Sequence, residues 1–509
     1  MTATTLSLVG RIAWQARTRP SATALIDDAG SVGFAELWEV AQQVAGALRV
    51  AGLRPGDRVA LALRPSAGYV ALVLGAMAGG QVPVPVNTRL TPPEVAGFLE
   101  PLDPALVLAD PAHADLAAAP GRPFRILERA EEPGPLAARV EPVRGALHHH
   151  PSAGDAPAIA FPTGGTTGLP KGAVYTHERL WLFANSAAAA RPAVSAWDPP
   201  GTHQELYFSP FFHVSLCTGL LTTLFSGGTV RIMPAFDTGG ALAHIAAGAT
   251  QLMGSPTMFV ALRTHPDFTR TDRSGVELVI FGSTHATPEF VDRLREDYPN
   301  ARLRYGFGAT EYGPVAAMTH EDMLAGRLSG VGRAYPDADI RILDPEGREL
   351  GVGEVGEITV RCAWHAVAYW GRPEESAATF TPDGVRLGDL GHLDADGWLT
   401  MDGRLKEMII SGGENVFPAE VESALDGHPA VAEICVYGAA DEYWGERVEA
   451  AVVLRPGARL ELEELRAHGR NRLASYKLPK ALRIVDALPI TPNNKPDRRA
   501  LRAAAQVVA

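Results

Sequence analysis

Twelve residues, Phe161 to Gly172, constrain this chain more than any others: FPTGGTTGLPKG. They hold four glycines, three threonines and one lysine. Gly164, Gly165 and Gly168 remove Cβ where backbone N–H groups must turn inward. Thr163, Thr166 and Thr167 add hydroxyl donors, and Lys171 adds a mobile positive charge. Amides, hydroxyls and one ammonium together can wrap a polyphosphate. The stretch is not a Walker A loop, which needs Lys between Gly and Ser or Thr; here Pro170 precedes Lys171 and Gly172 follows it. The competing reading is a flexible Gly/Thr turn between strands, although ordinary turns need only one or two glycines.

The rest of the chain limits what such a loop can serve. At 509 residues it exceeds one ordinary domain. Hydrophobic residues are 46% and charged residues 20%, as in a globular enzyme with a large core. A net charge of −12 disfavours general binding to nucleic acid or to an acidic membrane. Cys217, Cys362 and Cys435 are isolated and odd in number, so no disulfide framework or CxxC metal site follows, and a reducing cytoplasm fits. The N-terminus lacks a basic start and a long apolar core, so a signal peptide is not expected. The uncharged run Pro65 to Thr88 is long enough to cross a bilayer. Gly79-Gly80-Gln81 interrupts it, which predicts a buried helix, a glycine turn and a buried strand instead of a membrane span. His148-His149-His150 reads as a solvated loop.

Along residues 34–64 and 67–86, helix-period stretches alternate with Val/Leu/Ala-rich runs, the mark of βαβ units and buried parallel strands. Residues 110–150 predict a surface connection with a short strand at Phe124 to Leu127. Helices are expected at Arg179 to Ala190 and Pro288 to Tyr298, with strands at Leu206 to Ser209, Val276 to Phe281 and Ala301 to Tyr305. Glu354 to Cys362 alternates like an antiparallel strand and would open a small β subdomain. Composition shifts near Gly403. Beyond it, helices at Pro418 to Leu425 and Leu460 to Leu473 and strands at Val431 to Gly438 and Val448 to Leu454 make a compact α+β unit. The expected fold is therefore α/β: a large N-terminal domain over residues 1–403, a junction at 404–406, and a smaller C-terminal domain over 407–509.

Other motifs carry chemistry of their own. Tyr305 to Glu311 reads YGFGATE. Gly306 and Gly308 would let a ligand approach the backbone in a tight loop after a strand. Phe307 offers a flat face, Thr310 a hydroxyl, and Glu311 a hard oxygen suited to Mg²⁺. A solvated glutamate is the plain alternative. Asp389 stands in Leu387-Gly388-Asp389-Leu390, where a turn cap competes. Gly412 and Gly413 follow EMIIS, and Lys495 stands in LPITPNNKPDRR, where a surface lysine competes.

Taken together and in this order, the motifs resemble the adenylate-forming superfamily of acyl- and aryl-CoA synthetases, amino-acid adenylation domains and beetle luciferases. TGGTTGLPKG followed by Tyr175-Thr176-His177 resembles the family's phosphate loop. The resemblance implies that Phe307 stacks on adenine, where relatives usually carry Tyr. It implies that Thr310 meets the α-phosphate and that Glu311, with Thr167, binds magnesium. Asp389 and Arg404 would grip the ribose, with Leu387 in place of the usual Thr or Ser. Lys406 would be the pivot of a mobile C-terminal domain, and Gly412-Gly413 would line a pantetheine tunnel. Lys495 would be the catalytic lysine, preceded by Asn494 where relatives have Gly. Phe212, His213 and Val214 would border the acid, together with Gly282 and Gly308. Ser283-Thr284-His285 replaces a common Gly-Ala-Pro, and its polarity argues against a plain fatty acyl tunnel; Gly282, Ser283 and Thr284 would also flank adenine.

The implied activity is AMP-forming ligation of an acid to coenzyme A, using ATP, Mg²⁺ and CoA. An acyl carrier protein is an alternative acceptor and nitrite an alternative acid. A nucleotide-binding protein without turnover is the non-enzyme alternative, opposed by Lys171, Glu311, Asp389, Arg404 and Lys495 standing together. No nucleic-acid partner is expected, and the oligomeric state is left open, a homodimer included.

Overall fold

A computed structural model describes residues 6–506, apart from 130–131, 133, 142, 164–169, 192–202, 283–286, 412–413, 442 and 492–494. The chain divides into two compact units: residues 1–339 with 360–385, and residues 340–359 with 386–509. This is the mixed α/β architecture expected, a large sheet-rich part and a smaller one.

Three sheets lie among the described residues of the first unit. One is four-stranded and wholly parallel, in the order Val82–Pro85, Arg58–Ala62, Leu106–Ala109, Phe124–Ile126. The helix Ala67–Ala78 precedes its edge strand, and all its residues are buried. This explains the uncharged run: a helix without a wet face has no position for a charge. Among the described residues no helix is long and apolar enough to cross a membrane.

A larger sheet runs through six parallel strands: Thr23–Asp27, Thr229–Ile232, Gln204–Tyr207, Gln251–Gly254, Leu278–Gly282 and Arg302–Ala309. The strand Gly313–Met318 then pairs antiparallel with Arg302–Ala309. Helix Pro288–Asp297 supplies a crossover, started by Pro288 and by the Thr287 side chain accepting from the Phe290 amide. The third sheet has Gly172–Thr176 at its centre, antiparallel to both Pro157–Pro162 and Ala368–Tyr369.

The second unit holds the antiparallel pair Gly384–Leu393 and Trp398–Arg404, in register from Asp389↔Arg404. It also holds a sheet in the order Glu414–Val416, Ile409–Ser411, Gly445–Leu454, Val431–Asp441, with Ala481–Ile484 parallel to Gly445–Leu454. Helices Pro418–Leu425 and Leu462–Gly469 pack on it through Val421, Leu425 and Leu465. Segment 340–359 belongs to this unit rather than to the larger one, because its contacts are with 386–509.

Two expectations change. The YGFGATE glycines lie within a strand, since Arg302–Ala309 continues through them. Missing Cβ atoms permit this close pairing. A Cβ on Gly308 would stand 2.2 Å from the Gly313 carbonyl oxygen, and one on Gly282 would stand 2.5 Å from that of Gly306. The loop itself is Thr310 to Tyr312. The histidine run is tied down as well as half-exposed: His148 and His150 amides donate to Gln42 and Ala78 carbonyls, and His149 meets Trp38 edge-on.

Candidate active site

The phosphate-loop candidate spans a hairpin. Strand Pro157–Pro162 leads in and Gly172–Thr176 leads out, with Pro162 opposite Gly172. Its mouth is closed by Thr163 and Lys171. The Thr163 amide donates to the Lys171 carbonyl at 2.8 Å, and the Lys171 amide donates to Thr163 Oγ1 at 3.4 Å. Gly164, Gly165, Thr166, Thr167 and Gly168 lie outside the described residues.

Thr310 and Glu311 are pinned to this same three-stranded sheet. Tyr175 donates its hydroxyl to the Thr310 carbonyl at 2.7 Å, and the Ala366 amide donates to the Glu311 carbonyl at 2.7 Å. Tyr369 donates its hydroxyl to Glu311 Oε1 at 2.6 Å. The Lys171 ammonium sits 4.4 Å from the centre of the Tyr369 ring. Burial, followed by the Glu311 charge, pushes the Tyr369 phenol far above its usual range, so it stays a donor. Two groups far apart in sequence thus meet through one tyrosine. The sequence reading missed Tyr369, whose only signal is an aromatic pair before Gly371.

Phe307 is half-buried, its ring 6.4 Å from that of Tyr312. Gly306 has open space where a Cβ would project. Phe211 is buried between Tyr69 and Tyr207, with Phe212 half-buried and His213 exposed beside it. Val214 is buried. His213 Nδ1 accepts from the Ser215 amide, and the Ser215 hydroxyl meets Tyr207 Oη at 2.9 Å. Gly282 ends its strand, while Ser283, Thr284 and His285 lie outside the described residues.

In the second unit, strand pairing brings Asp389 and Arg404 together. Arg404 Nε donates to Asp389 Oδ1 at 2.7 Å. Burial raises the Asp389 carboxyl above its usual range, while Arg404 and then Lys495 pull it back down. The Lys495 side chain is exposed as a whole. Its ammonium is held below the usual lysine range first by burial, then by Arg404, with Asp389 and Glu407 opposing. Lys495, Asp389 and Arg404 therefore share one electrostatic neighbourhood.

The loop carrying Lys495 is closed on itself: the Thr491 amide donates to the Lys495 carbonyl at 2.7 Å, and the Lys495 amide to Thr491 Oγ1 at 3.3 Å. Arg498, three residues on, donates to Glu407 Oε2 at 2.8 Å and to both Glu422 oxygens at 2.7 and 2.8 Å. That strut, unseen in the sequence, ties the lysine loop to the residue after Lys406. Lys406 is exposed, in the turn where the Glu407 and Met408 amides donate to the Arg404 carbonyl. The other lysines near Lys495 in sequence are engaged elsewhere. Lys477 is bound to both Glu420 oxygens, and Lys480 donates to Ser411 Oγ at 3.2 Å beneath the Trp444 ring, 4.5 Å away. Gly412 and Gly413 lie outside the described residues.

Among the described residues no group of three or more His, Cys, Asp or Glu could cage a metal. A lone buried carboxylate such as Glu311 suits Mg²⁺, which keeps its waters and is held through one or two carboxylates plus substrate phosphates. All three cysteines are free and buried. Burial pushes the Cys362 and Cys435 thiols up to about 12 and the Cys217 thiol well above its usual range, which favours the neutral thiol in each.

Against this geometry the family pattern of AMP-binding enzymes matches residues 12–370, and that of the AMP-binding enzyme C-terminal domain matches residues 420–495. The chain belongs to the AMP-binding enzyme family. This AMP-binding enzyme is of the acyl- and aryl-CoA synthetase type, an ATP-dependent ligase. It is 34% identical to a feruloyl-CoA synthase of an Amycolatopsis species, over 94% of this chain and 95% of the relative. It is 32% identical to the fatty acid–[acyl-carrier-protein] ligase ScoC of Streptomyces coeruleorubidus, over 97% and 96%. The ATP-bound crystal structure of MatB from Rhodopseudomonas palustris superposes with a TM-score of 0.88 at 30% identity, covering 99% of each chain.

Proposed function

We propose that this enzyme joins an aromatic or polar-substituted carboxylic acid to coenzyme A, in the sequence acid + ATP → acyl-AMP + pyrophosphate, then acyl-AMP + CoA → acyl-CoA + AMP. In the first step a carboxylate oxygen attacks the α-phosphorus and pyrophosphate leaves. In the second the CoA sulfur attacks the acyl carbon, AMP leaves, and the thiol proton passes to solvent. The carboxylate is a weak nucleophile, so positioning and charge neutralisation must supply most of the rate.

The observation that carries this reading is the gathering of Asp389, Arg404 and Lys495 in one unit. A buried carboxylate beside a guanidinium suits the neutral hydroxyls of a ribose. The Lys495 ammonium, which shares their electrostatic neighbourhood, would meet the charge developing on the acid and α-phosphate. Lys171 and the loop around it would hold the departing phosphates. Phe307 would stack on the base, with Gly282, Gly306 and Gly308 allowing close approach. Glu311, with Thr167, would hold Mg²⁺, which supplies further neutralisation of phosphate charge when bound, and Thr310 would meet the α-phosphate. Phe212, His213 and Val214 would border the acid.

CoA is preferred over a carrier-protein arm because Tyr443 and Trp444 are an exposed aromatic pair beside Lys480, which donates to Ser411 Oγ. A flat adenine base would find a stacking face there, which a carrier-protein arm, having no base, would not use. The polar run Ser283-Thr284-His285 and the similarity to a feruloyl-CoA synthase favour an aromatic or polar acid over a plain fatty one. Residues 407–509 would turn about Arg404 to Lys406 between the half-reactions, relative to 1–403. Buried free thiols suit work in the reducing cytoplasm.

The test is pyrophosphate release across a panel of aromatic, short and long acids, with nitrite plus an arylamine included, followed by mass detection of the CoA or carrier thioester. The expected result is acid-dependent release with an aromatic or polar acid and a CoA product. Tight ATP binding without release for any acid would leave only a nucleotide-binding protein.

A further inference from the structure

We propose that Tyr369 is a positioning residue that holds the Lys171 ammonium and the Glu311 carboxylate on opposite parts of one side chain, and so keeps the two charges from pairing. The inference rests on the reading of Glu311 as a metal ligand and Lys171 as a phosphate ligand, and it adds a residue to both.

The geometry is specific. Tyr369 pairs with Ala173, two residues beyond Lys171, and the Val367 and Trp370 amides donate to Val174 and Gly172 carbonyls at 2.8 and 2.9 Å. Its own amide donates to Ser376 Oγ at 2.9 Å, and the Phe380 ring packs 5.2 Å from its ring. The side chain therefore has a fixed origin and direction. From there the ring face takes the Lys171 ammonium at 4.4 Å and the hydroxyl takes Glu311 Oε1 at 2.6 Å.

The two kinds of contact matter. A cation resting on a ring is held without spending its N–H donors on an anion, so they stay available for phosphate. A hydroxyl orients a carboxylate through a charge-assisted hydrogen bond without adding a charge of its own, so the oxygen remains attractive to a cation. Were the tyrosine replaced by a shorter side chain, a long flexible lysine and a buried glutamate on the same sheet would be drawn into an ion pair, and each would be neutralised for its proposed task.

Tyr369→Phe keeps the ring and removes the hydroxyl, while Tyr369→Leu removes both contacts. The measurements are Mn²⁺ binding by electron paramagnetic resonance with a non-hydrolysable ATP analogue, analogue binding without metal by calorimetry, and thermal melting. Tyr369→Phe should weaken Mn²⁺ binding about tenfold, the size of one charge-assisted hydrogen bond, with metal-free analogue affinity unchanged. Tyr369→Leu should weaken both. Glu311→Gln is run alongside to separate the layers. If it leaves Mn²⁺ binding intact, the metal-ligand reading itself is overturned. If Glu311→Gln weakens Mn²⁺ binding and a folded Tyr369→Phe does not, the role of Tyr369 alone is overturned. The phenylalanine variant is near-isosteric, so it decides the matter even if the leucine variant fails to fold.

Discussion

Glu311 and Asp389 are both carboxylates withdrawn from water, at 8% and 4% exposure, yet they are held in opposite ways. Glu311 takes a neutral hydroxyl from Tyr369, and Asp389 takes a guanidinium from Arg404. Burial of a charge is costly in either case, so the partner indicates what the charge is kept for. A hydroxyl orients the carboxylate and leaves its charge to attract a cation. A guanidinium compensates the charge and leaves a hydrogen-bond acceptor, which suits neutral hydroxyls. On the proposed reading, the same residue chemistry in two units would serve a metal in one and a sugar in the other.

The sharpest way to break this contrast is to remove charge from each site while keeping its shape. Glu311→Gln should lower pyrophosphate release by roughly a hundredfold or more, because a transition-state charge contact is worth about 3 kcal/mol. Circular dichroism should show an intact fold, and wild-type turnover at saturating Mg²⁺ would end the assignment. Lys495→Ala should cost adenylation a similar factor, while the same protein given synthetic acyl-AMP and CoA makes thioester near the wild-type rate. Loss of both half-reactions in a folded variant would refute a lysine that serves the first step only.

Asp389→Asn should be milder, raising the KM for ATP by about tenfold, since the amide oxygen still accepts one hydrogen bond. If Asp389→Asn and Glu311→Gln prove equally severe, the two carboxylates are not doing different jobs. Trp444→Ala should raise the KM for CoA several-fold and leave that for pantetheine alone; an equal rise for both acceptors would move the adenine platform elsewhere.

The smallest effect is one of pH. The Lys495 pKa lies below the usual 10.5, so its proton leaves earlier as pH rises. Adenylation should therefore fall on an alkaline limb whose midpoint is below 10.5, and Lys495→Arg should push that limb to higher pH. A limb that does not move would belong to another group.

How much of this was legible in the sequence depended on how local the cause was. The helix Ala67–Ala78 and the strand Val82–Pro85 were readable because complete burial writes itself as an uncharged run. The strand Arg302–Ala309 was read short, since its last residues are held by pairing with Gly313–Met318 and not by their own propensity. Asp389 and Arg404 were each recognisable as motif residues, but their cross-strand contact was not. Tyr369 and Arg498 were missed altogether: each acts by joining segments distant in the chain, and neither carries a composition signal. The compact units divide at 339, 359 and 385, whereas the compositional change near Gly403 suggested a boundary at 404–406; the proposed pivot there concerns motion, which the family resemblance implied and packing alone does not report.

The sequestered thiols have a practical corollary. A chromogenic thiol reagent added to the native enzyme would meet three slow, inaccessible cysteines and one fast, free sulfhydryl on the acceptor. Unreacted CoA could then be titrated in timed, undenatured aliquots in the presence of stoichiometric enzyme, with the protein contributing a signal only after it unfolds.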